Sequence, residues 1–217
     1  MKRKTWFYIG FFLVLVLGFY FAMSRMLPGF SRVTYPVLSE VKPFSFLDQD
    51  GQRITNKDLH GKVYVAEYFF TTCKGICPKL NTNLKAVYEE FRDEPGFVIV
   101  SHTVDPQTDS VGRLKAYADS LGVDSKKWIF LTGRKDSLYQ AARVSYLLDD
   151  PKNNITPIDE QFIHTQFFAV VDKNGNVRKI IDGLTRDELQ EMNVVIRNLL
   201  KEDPNSHPVR ALYVKPG

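Results

Sequence analysis

The chain is poor in the side chains that bind soft metal ions, with only two cysteines and four histidines in 217 residues. Both cysteines, Cys73 and Cys77, fall within the short stretch 71–78. An iron–sulfur cluster is excluded, because such clusters are held by a fuller set of thiolates. No internal repeat or low-complexity tract occurs. The length predicts one globular core behind an N-terminal segment, and the sulfur chemistry is confined to one pair of thiols.

Acidic residues are absent from the first 27 positions, which contain Lys2, Arg3, Lys4 and Arg25. These four residues account for the whole net charge of +4, because the other 25 of the 29 basic residues face 25 acidic ones. A balanced domain lacks the basic surface that nucleic acid binding requires, so we expect no nucleic acid partner.

Charge is also missing from residues 6–23, and an uncharged stretch of about 18 or more residues is long enough to span a bilayer. The preceding basic residues predict a cytoplasmic N-terminus and a domain on the periplasmic side of the cell inner membrane. No A-x-A cleavage site or lipobox cysteine is present, which favours an uncleaved single-pass anchor over a signal peptide. The predicted organisation is a basic cluster and anchor (1–27), a tether (28–42), a globular domain (43–202) and a tail (203–217).

Beyond the anchor, apolar runs and turn signals alternate. Runs rich in β-branched and aromatic residues predict strands, periodic apolar residues predict helices, and Asp-Gly or Asn-Gly pairs predict hairpin turns. The expected strands are 43–52, 62–70, 97–104, 128–131, 162–172 and 177–181, and the expected helices are 78–91, 111–121, 134–147 and 185–199. Thr185 and Glu188 should form a capping box on the last helix.

This order predicts an α/β protein with a thioredoxin-like fold, in which helices flank a central mixed sheet and a β-hairpin extends the N-terminus. Strands joined by helices should lie parallel, and the final hairpin should be antiparallel. The active position of such a fold follows the first central strand, at the carboxyl edge of the sheet. Cys73 and Cys77 occupy that position.

The two cysteines stand where a strand leads into a helix. Unpaired N–H groups and the positive end of the helix dipole lower the pKa of a thiol there, which favours metal binding or disulfide exchange over inert burial. Three residues separate Cys73 from Cys77, so a disulfide is allowed and an ion also fits between two thiolates. Two sulfur ligands favour Cu(I) or Zn(II), and an added histidine nitrogen suits Cu(II). A structural disulfide is the alternative for an exported domain.

Four histidines are available as a third ligand. His60 lies in a predicted turn and His207 in the polar tail. His102 ends the second central strand, where it is a core histidine, a neighbour of the ligands or an alternative ligand. His164 precedes the last buried strand, beside the helix that carries the cysteines. From position alone, a ligand and a plain loop histidine are equally good interpretations of His164.

The sequence contains a CxxxCP stretch from Cys73 to Pro78, a DPxxD stretch from Asp105 to Asp109, and a late histidine, His164. Over about residues 40–202, these three motifs together resemble the Sco/SenC family of membrane-anchored copper proteins. The combination is far more specific than any one motif. Asp105, which precedes a proline, also fits an ordinary turn, and we do not count it as a ligand.

The resemblance implies a function and a set of ligands. Cys73, Cys77 and His164 would bind copper, as Cu(I) or Cu(II), for the dinuclear copper site of cytochrome c oxidase. The implied partners are the copper-site subunit of the oxidase and an upstream copper donor. The rival hypothesis is a thiol–disulfide oxidoreductase that reduces the cysteines of that copper site, with Cys73 attacking and Cys77 resolving. The metal hypothesis expects folding to bring the His164 imidazole to the two sulfurs.

Overall fold

The structure is a computed structural model and describes residues 3–26 and 34–205. Helix α1 (Arg3–Met26) contains the segment Lys4–Met23, which is long and apolar enough to cross a membrane. The predicted anchor is thus helical, although a signal sequence near an N-terminus has the same properties. His207, much of the tail and residues 28–33 of the predicted tether lie outside the described residues.

Residues from Tyr35 onward form a separate unit of alternating strands and helices. The strands are β1 (Ser39–Glu40), β2 (Ser45–Leu47), β3 (Arg53–Thr55), β4 (Val63–Phe69), β5 (Phe97–Thr103), β6 (Trp128–Leu131), β7 (Phe167–Val171) and β8 (Asn176–Asp182). The helices are α2 (Cys77–Phe91), α3 (Val111–Leu121), α4 (Lys135–Gln140) and α5 (Arg186–Lys201). The predicted thioredoxin-like arrangement is confirmed.

The main sheet has the strand order β1-β8-β7-β4-β5-β6. Strands β4, β5 and β6 are parallel, while β7 pairs antiparallel with both β4 and β8. The hairpin β2–β3 joins the end of β6 through two backbone hydrogen bonds of 2.9 Å between Leu47 and Thr132. Because parallel strands end at the same edge, the turn from β4 into α2 lies beside the ends of β5 and β6.

Side chains of β4 alternate between two cores, as the pleat of a strand requires. Val65 and Phe69 face the core that is covered by α2, α3 and α5. Tyr64 and Tyr68 face the core that is covered by α4 and the hairpin. All seven residues of β4 are buried, which explains why every residue of this run except Glu67 is aliphatic or aromatic.

The predicted tether is partly wrong, because its second half belongs to the domain. Strand β1 pairs antiparallel with β8, and Val37 and Val41 are buried. The Tyr35 carbonyl accepts a hydrogen bond of 2.8 Å from Nε of Arg178. A strand of two residues is too short to carry a periodic signal. Its partner β8 is also distant in the sequence, so no local pattern indicates the pairing.

Three local predictions also differ from the structure. Helix α4 ends at Gln140 and continues as a π-helical turn over Ala141–Ser145. Strand β7 begins at Phe167 instead of residue 162, which leaves residues 162–166 in a loop. The capping box is absent: the Thr185 side chain makes no capping hydrogen bond, and Glu188 Oε2 accepts the Asp182 N–H at 2.5 Å instead of the Thr185 N–H.

Candidate functional site

The cysteines lie at the turn between β4 and α2. Cys77 is the first residue of α2 and is buried, with Pro78 in the first turn, where the missing N–H of proline costs nothing. Cys73 is half-buried in the preceding loop, and its N–H donates to the Phe70 carbonyl at 3.2 Å. Both thiols are free. One sulfur is therefore set in a helix and the other in a loop.

The two thiols differ in acidity. Partial burial works to raise the pKa of Cys73, but hydrogen bonds from the Cys77 thiol and from backbone N–H groups of Cys77, Gly75 and Ile76 lower it overall. Burial, together with the hydrogen bond and charge of the adjacent Cys73 sulfur, raises the pKa of Cys77 to about 12. The pair therefore combines a half-buried, activated thiol with a buried, protonated one.

His164 lies in residues 161–166 before β7, which we call the histidine loop. This loop lies beside residues 70–76 between β4 and α2, which we call the cysteine loop. Its ring is exposed and packs on Phe162, with ring centroids 4.8 Å apart. The His164 ring also contacts the Phe70 ring edge-on, with ring centroids 6.4 Å apart. Phe70 lies only three residues before Cys73. Ile163 is buried and fixes the backbone next to the histidine. Folding thus brings the imidazole to the same edge of the sheet as the sulfurs.

The three predicted ligands are not assembled into one cluster. Among residues 3–26 and 34–205, no three His, Cys, Asp or Glu side chains are grouped so that they could hold a metal ion. The structure places the free thiols of Cys73 and Cys77 side by side and leaves His164 packed against the rings of Phe162 and Phe70. The proposed ligand set therefore requires His164 to move from these rings toward the sulfurs.

His102 is a core histidine. It is completely buried, its ring stacks on Tyr68 at 5.0 Å, and Phe46 and Tyr146 approach it from other sides. Neither ring nitrogen has a hydrogen-bond partner, and burial lowers the pKa of His102 to about 3. The ring is therefore neutral at physiological pH. His60 is exposed in a turn, as predicted.

Asp105 serves the turn that follows β5. Its carbonyl accepts the N–H groups of Thr108 at 3.1 Å and Asp109 at 2.8 Å. Its own N–H donates to Oγ1 of Thr103 at 2.9 Å. These bonds agree with the interpretation of Asp105 as a turn residue.

Glu67 is a feature of the site region that sequence reasoning missed. It lies inside β4 on the face covered by α2, and burial raises its pKa to about 7. Ser101 donates a hydrogen bond to the Glu67 carboxyl group, and Nε1 of Trp128 donates to Oγ of Ser101 at 2.7 Å. A single acidic residue within the apolar run 62–70 was the available signal, because a carboxyl group in a central strand must be buried.

The histidine loop is anchored by a buried polar group. Nε of Arg143 donates to Asp149 at 2.7 Å, and Nη2 donates to the Gln161 side chain at 2.8 Å. The Tyr139 hydroxyl lies within hydrogen-bond distance of the carbonyls of Val104, at 2.9 Å, and Gln161, at 3.2 Å. The end of β5 and the start of the histidine loop are thus held to the same tyrosine.

Comparisons with known proteins identify the family of this chain. Residues 35–201 match the SCO1/SenC family model. The SCO1 protein homolog of Bacillus subtilis is 31% identical over 160 residues, covering 72% of this chain and 80% of the relative. A solved structure of BsSco, described as a member of the Sco family of cytochrome c oxidase assembly proteins with a disulfide switch, is 26% identical with a TM-score of 0.66. That match covers 80% of this chain and 100% of the other.

The fold also agrees with a more distant relative. The crystal structure of Arabidopsis thaliana ScoI with copper bound has a TM-score of 0.60 and 24% identity. The match covers 76% of this chain and 100% of the other chain.

The family model spans the domain from the segment that precedes β1 to the end of α5, including both cysteines and His164. The chain belongs to the SCO1/SenC family.

Proposed function

We propose that this protein binds a copper ion through Cys73, Cys77 and His164 and delivers it to the dinuclear copper site of cytochrome c oxidase. The observation that carries the proposal is the placement of the His164 ring against Phe70, at the edge where the thiol pair stands. Two sulfurs and one imidazole form a donor set suited to Cu(I) and Cu(II).

The fit of the residues to copper rests on their chemistry and accessibility. Cys73 is half-buried and His164 is exposed, so a copper ion held there stays open to ligands of a partner protein. Transfer by ligand exchange needs such access. His164 packs only on Phe162 and Phe70 among the described aromatic rings, so its movement toward the sulfurs breaks no core packing.

Similar proteins support copper as the metal and cytochrome c oxidase as the protein that receives it. Copper is bound in the Arabidopsis thaliana ScoI structure, and BsSco is described as belonging to a family of cytochrome c oxidase assembly proteins. By extension, the partners are the oxidase copper-site subunit and a donor that loads the copper. We further propose that residues 6–23 anchor the chain in the cell inner membrane, with the domain on the periplasmic side.

A second function, thiol–disulfide exchange with the cysteines of the oxidase copper site, is favoured by one specific observation. Hydrogen bonds lower the pKa of Cys73 while burial raises that of Cys77. An accessible thiolate that attacks and a buried thiol that resolves are the parts of a dithiol reductant. Reduction of a client disulfide would convert Cys73 and Cys77 into a disulfide and leave two client thiols.

The first prediction separates the two functions with His164→Ala. In competition with a chromophoric chelator, we expect this variant of the full chain in detergent to lose more Cu(I) affinity than the roughly 10–100-fold that loss of a group behind a ligand costs, because one of three direct ligands is gone. Its rate of disulfide exchange with a model disulfide should stay within about twofold of the parent. His60→Ala is the matched control, since His60 is exposed but lies in a turn apart from the cysteine loop.

Two results would contradict the copper proposal. Unchanged Cu(I) affinity in His164→Ala would show that His164 is not a copper ligand. A parent protein that binds no copper but exchanges disulfides would leave thiol–disulfide exchange as the function.

A further inference from the structure

Asp109 is a buried carboxyl group whose contacts converge on the start of the cysteine loop. Its residue is 1% exposed. Its Oδ2 accepts the Thr71 N–H at 3.2 Å and the Thr103 hydroxyl at 2.6 Å, and its Oδ1 accepts the Thr71 hydroxyl. Thr103 ends β5, so a single side chain joins the loop after β4 to the end of the neighbouring strand.

The two cysteines depend on different supports. Cys77 is held by the backbone of α2, in which it is the first residue. Cys73 lies in the irregular stretch between β4 and α2, two residues after Thr71. The hydrogen bonds of Thr71 to Asp109 are therefore the side-chain attachment nearest to Cys73 that ties this stretch to the sheet. Loss of that attachment would free Cys73 and leave Cys77 in place.

Arg113 adds an outer contact to the same attachment. It stands in the first turn of α3, and its Nε donates to the Thr71 hydroxyl at 2.6 Å while remaining 3.8 Å from Oδ1 of Asp109. The Thr71 hydroxyl thus donates inward to the carboxyl group and accepts from the guanidinium. The arrangement fixes the Thr71 rotamer, since both roles of the hydroxyl are satisfied.

We propose that Asp109 is a positioning residue, which through Thr71 fixes the place of Cys73 relative to Cys77. The inference rests on the proposed function of the thiol pair. Groups that orient metal ligands or reactive thiols from behind act by limiting the geometries that the pair samples. Asp109 touches neither sulfur; it acts on the loop that carries Cys73.

The test uses a redox equilibrium that needs no copper. In the full chain in detergent, the dithiol reacts with oxidised glutathione to give the Cys73–Cys77 disulfide and two molecules of reduced glutathione. We expect Thr71→Val and Asp109→Asn to lower this equilibrium constant by about tenfold, because a free loop presents Cys73 to Cys77 less often. Cu(I) affinity should fall by about 10–100-fold in the same variants. Thr71→Ser keeps the hydroxyl and should restore both values.

The chain offers a matched control for the loss of a Thr–Asp pair. On the β2–β3 hairpin, the N–H and hydroxyl of Thr55 donate to Oδ2 of Asp58 at 2.8 and 2.6 Å. Thr55→Val removes the same kind of hydrogen bond and should leave both the glutathione equilibrium and the Cu(I) affinity unchanged. Urea midpoints of all variants separate a general loss of stability from a change at the thiol pair.

The outcomes distinguish this inference from the proposed function. Parent-like glutathione constants in both Thr71→Val and Asp109→Asn would overturn the positioning role, whatever the copper result. A tenfold fall in Thr71→Val with rescue by Thr71→Ser would support it even if the parent bound no copper. In that last case the copper proposal alone would fail.

Discussion

His102 shows how one buried residue can make the stability of the domain depend on pH. Its usual pKa of 6.5 applies to the unfolded chain, whereas burial lowers the pKa to about 3 in the folded protein. Between these values the unfolded chain binds a proton that the folded protein does not. The contribution of the neutral His102 ring to the unfolding free energy is complete above pH 6.5. It is lost as pH falls, by up to about 1.4 kcal/mol per pH unit.

We predict that His102→Phe flattens the acid limb, which is the fall in unfolding free energy as pH decreases below 6.5. Between pH 6.5 and 5 the variant should lose about 2 kcal/mol less unfolding free energy than the parent, because the titrating group is absent. Urea unfolding at each pH measures the difference. His102→Leu should flatten the limb equally, which separates titration from the fit of the new ring. His60→Phe, an exposed replacement, should keep the parental slope, and an equal slope in all variants would contradict the prediction.

Glu67 has the opposite effect on the same pH range. Burial raises its pKa from 4.5 to about 7, so the folded protein holds a proton that the unfolded chain releases. Its contribution is complete below 4.5 and is lost as pH rises through about 7. Because Glu67 is present in the parent and in the His102 variants, its effect cancels in their difference. The apolar run around Glu67 signalled its burial, but the hydrogen bond from Ser101 and the ring packing around His102 were not predictable, since both depend on contacts between distant elements.

At the scale of elements, the histidine loop depends on Arg143. The guanidinium is buried against Asp149 and Gln161, and Gln161 in turn bonds to Asn154 at 2.9 Å. We predict that Arg143→Met lowers the unfolding free energy by about 3–5 kcal/mol, because it leaves the mostly buried Asp149 carboxyl group without its cation. Urea unfolding at pH 7 measures the loss.

A surface ion pair provides the control for Arg143. Arg134 contacts Asp136 at 2.6 Å, but their side chains are 82% and 50% exposed. Arg134→Met should leave the unfolding free energy close to that of the parent, since water screens an exposed pair. Equal losses in the two variants would mean that the buried pair does not hold the loop. Limited proteolysis should cut residues 149–161 faster in Arg143→Met than in Arg134→Met.

The elements that the sequence predicted well carry their signal locally. The buried run of β4, the periodic face of α3 and the glycine stop at Gly122, which has φ of 61°, are each specified by adjacent residues. The position of Cys73 and Cys77 in the fold was predictable to the same extent, because both lie between the end of β4 and the start of α2. The packing of His164 against Phe162 depends on where β7 begins, and that start is set by the pairing of Phe167 with Asp182 in β8, which the apolar run 162–172 does not reveal.

At the scale of the whole domain, the boundary lies near Tyr35, earlier than the sequence indicated. The segment before residue 43 supplies an edge strand to β8, two buried valines and a carbonyl for Arg178. Arg178 is itself buried and pairs with Asp172 and Glu202, each at 2.8 Å. Deletion of the segment would therefore expose apolar surface and the edge of β8, and would remove one acceptor from a buried cation.

We predict that a fragment of residues 43–205 is less stable than one of residues 34–205 by about 2–4 kcal/mol. Burying Val37 and Val41 contributes about 1.5–3 kcal/mol each, and ordering the segment offsets part of that gain. Urea unfolding followed by circular dichroism measures the difference. In the longer fragment, Val37→Ala with Val41→Ala should reproduce much of the loss, whereas Glu40→Gln, at an exposed position of the same strand, should not. Equal midpoints for the two fragments would mean that residues 34–42 are a tether after all, and that the domain begins at β2.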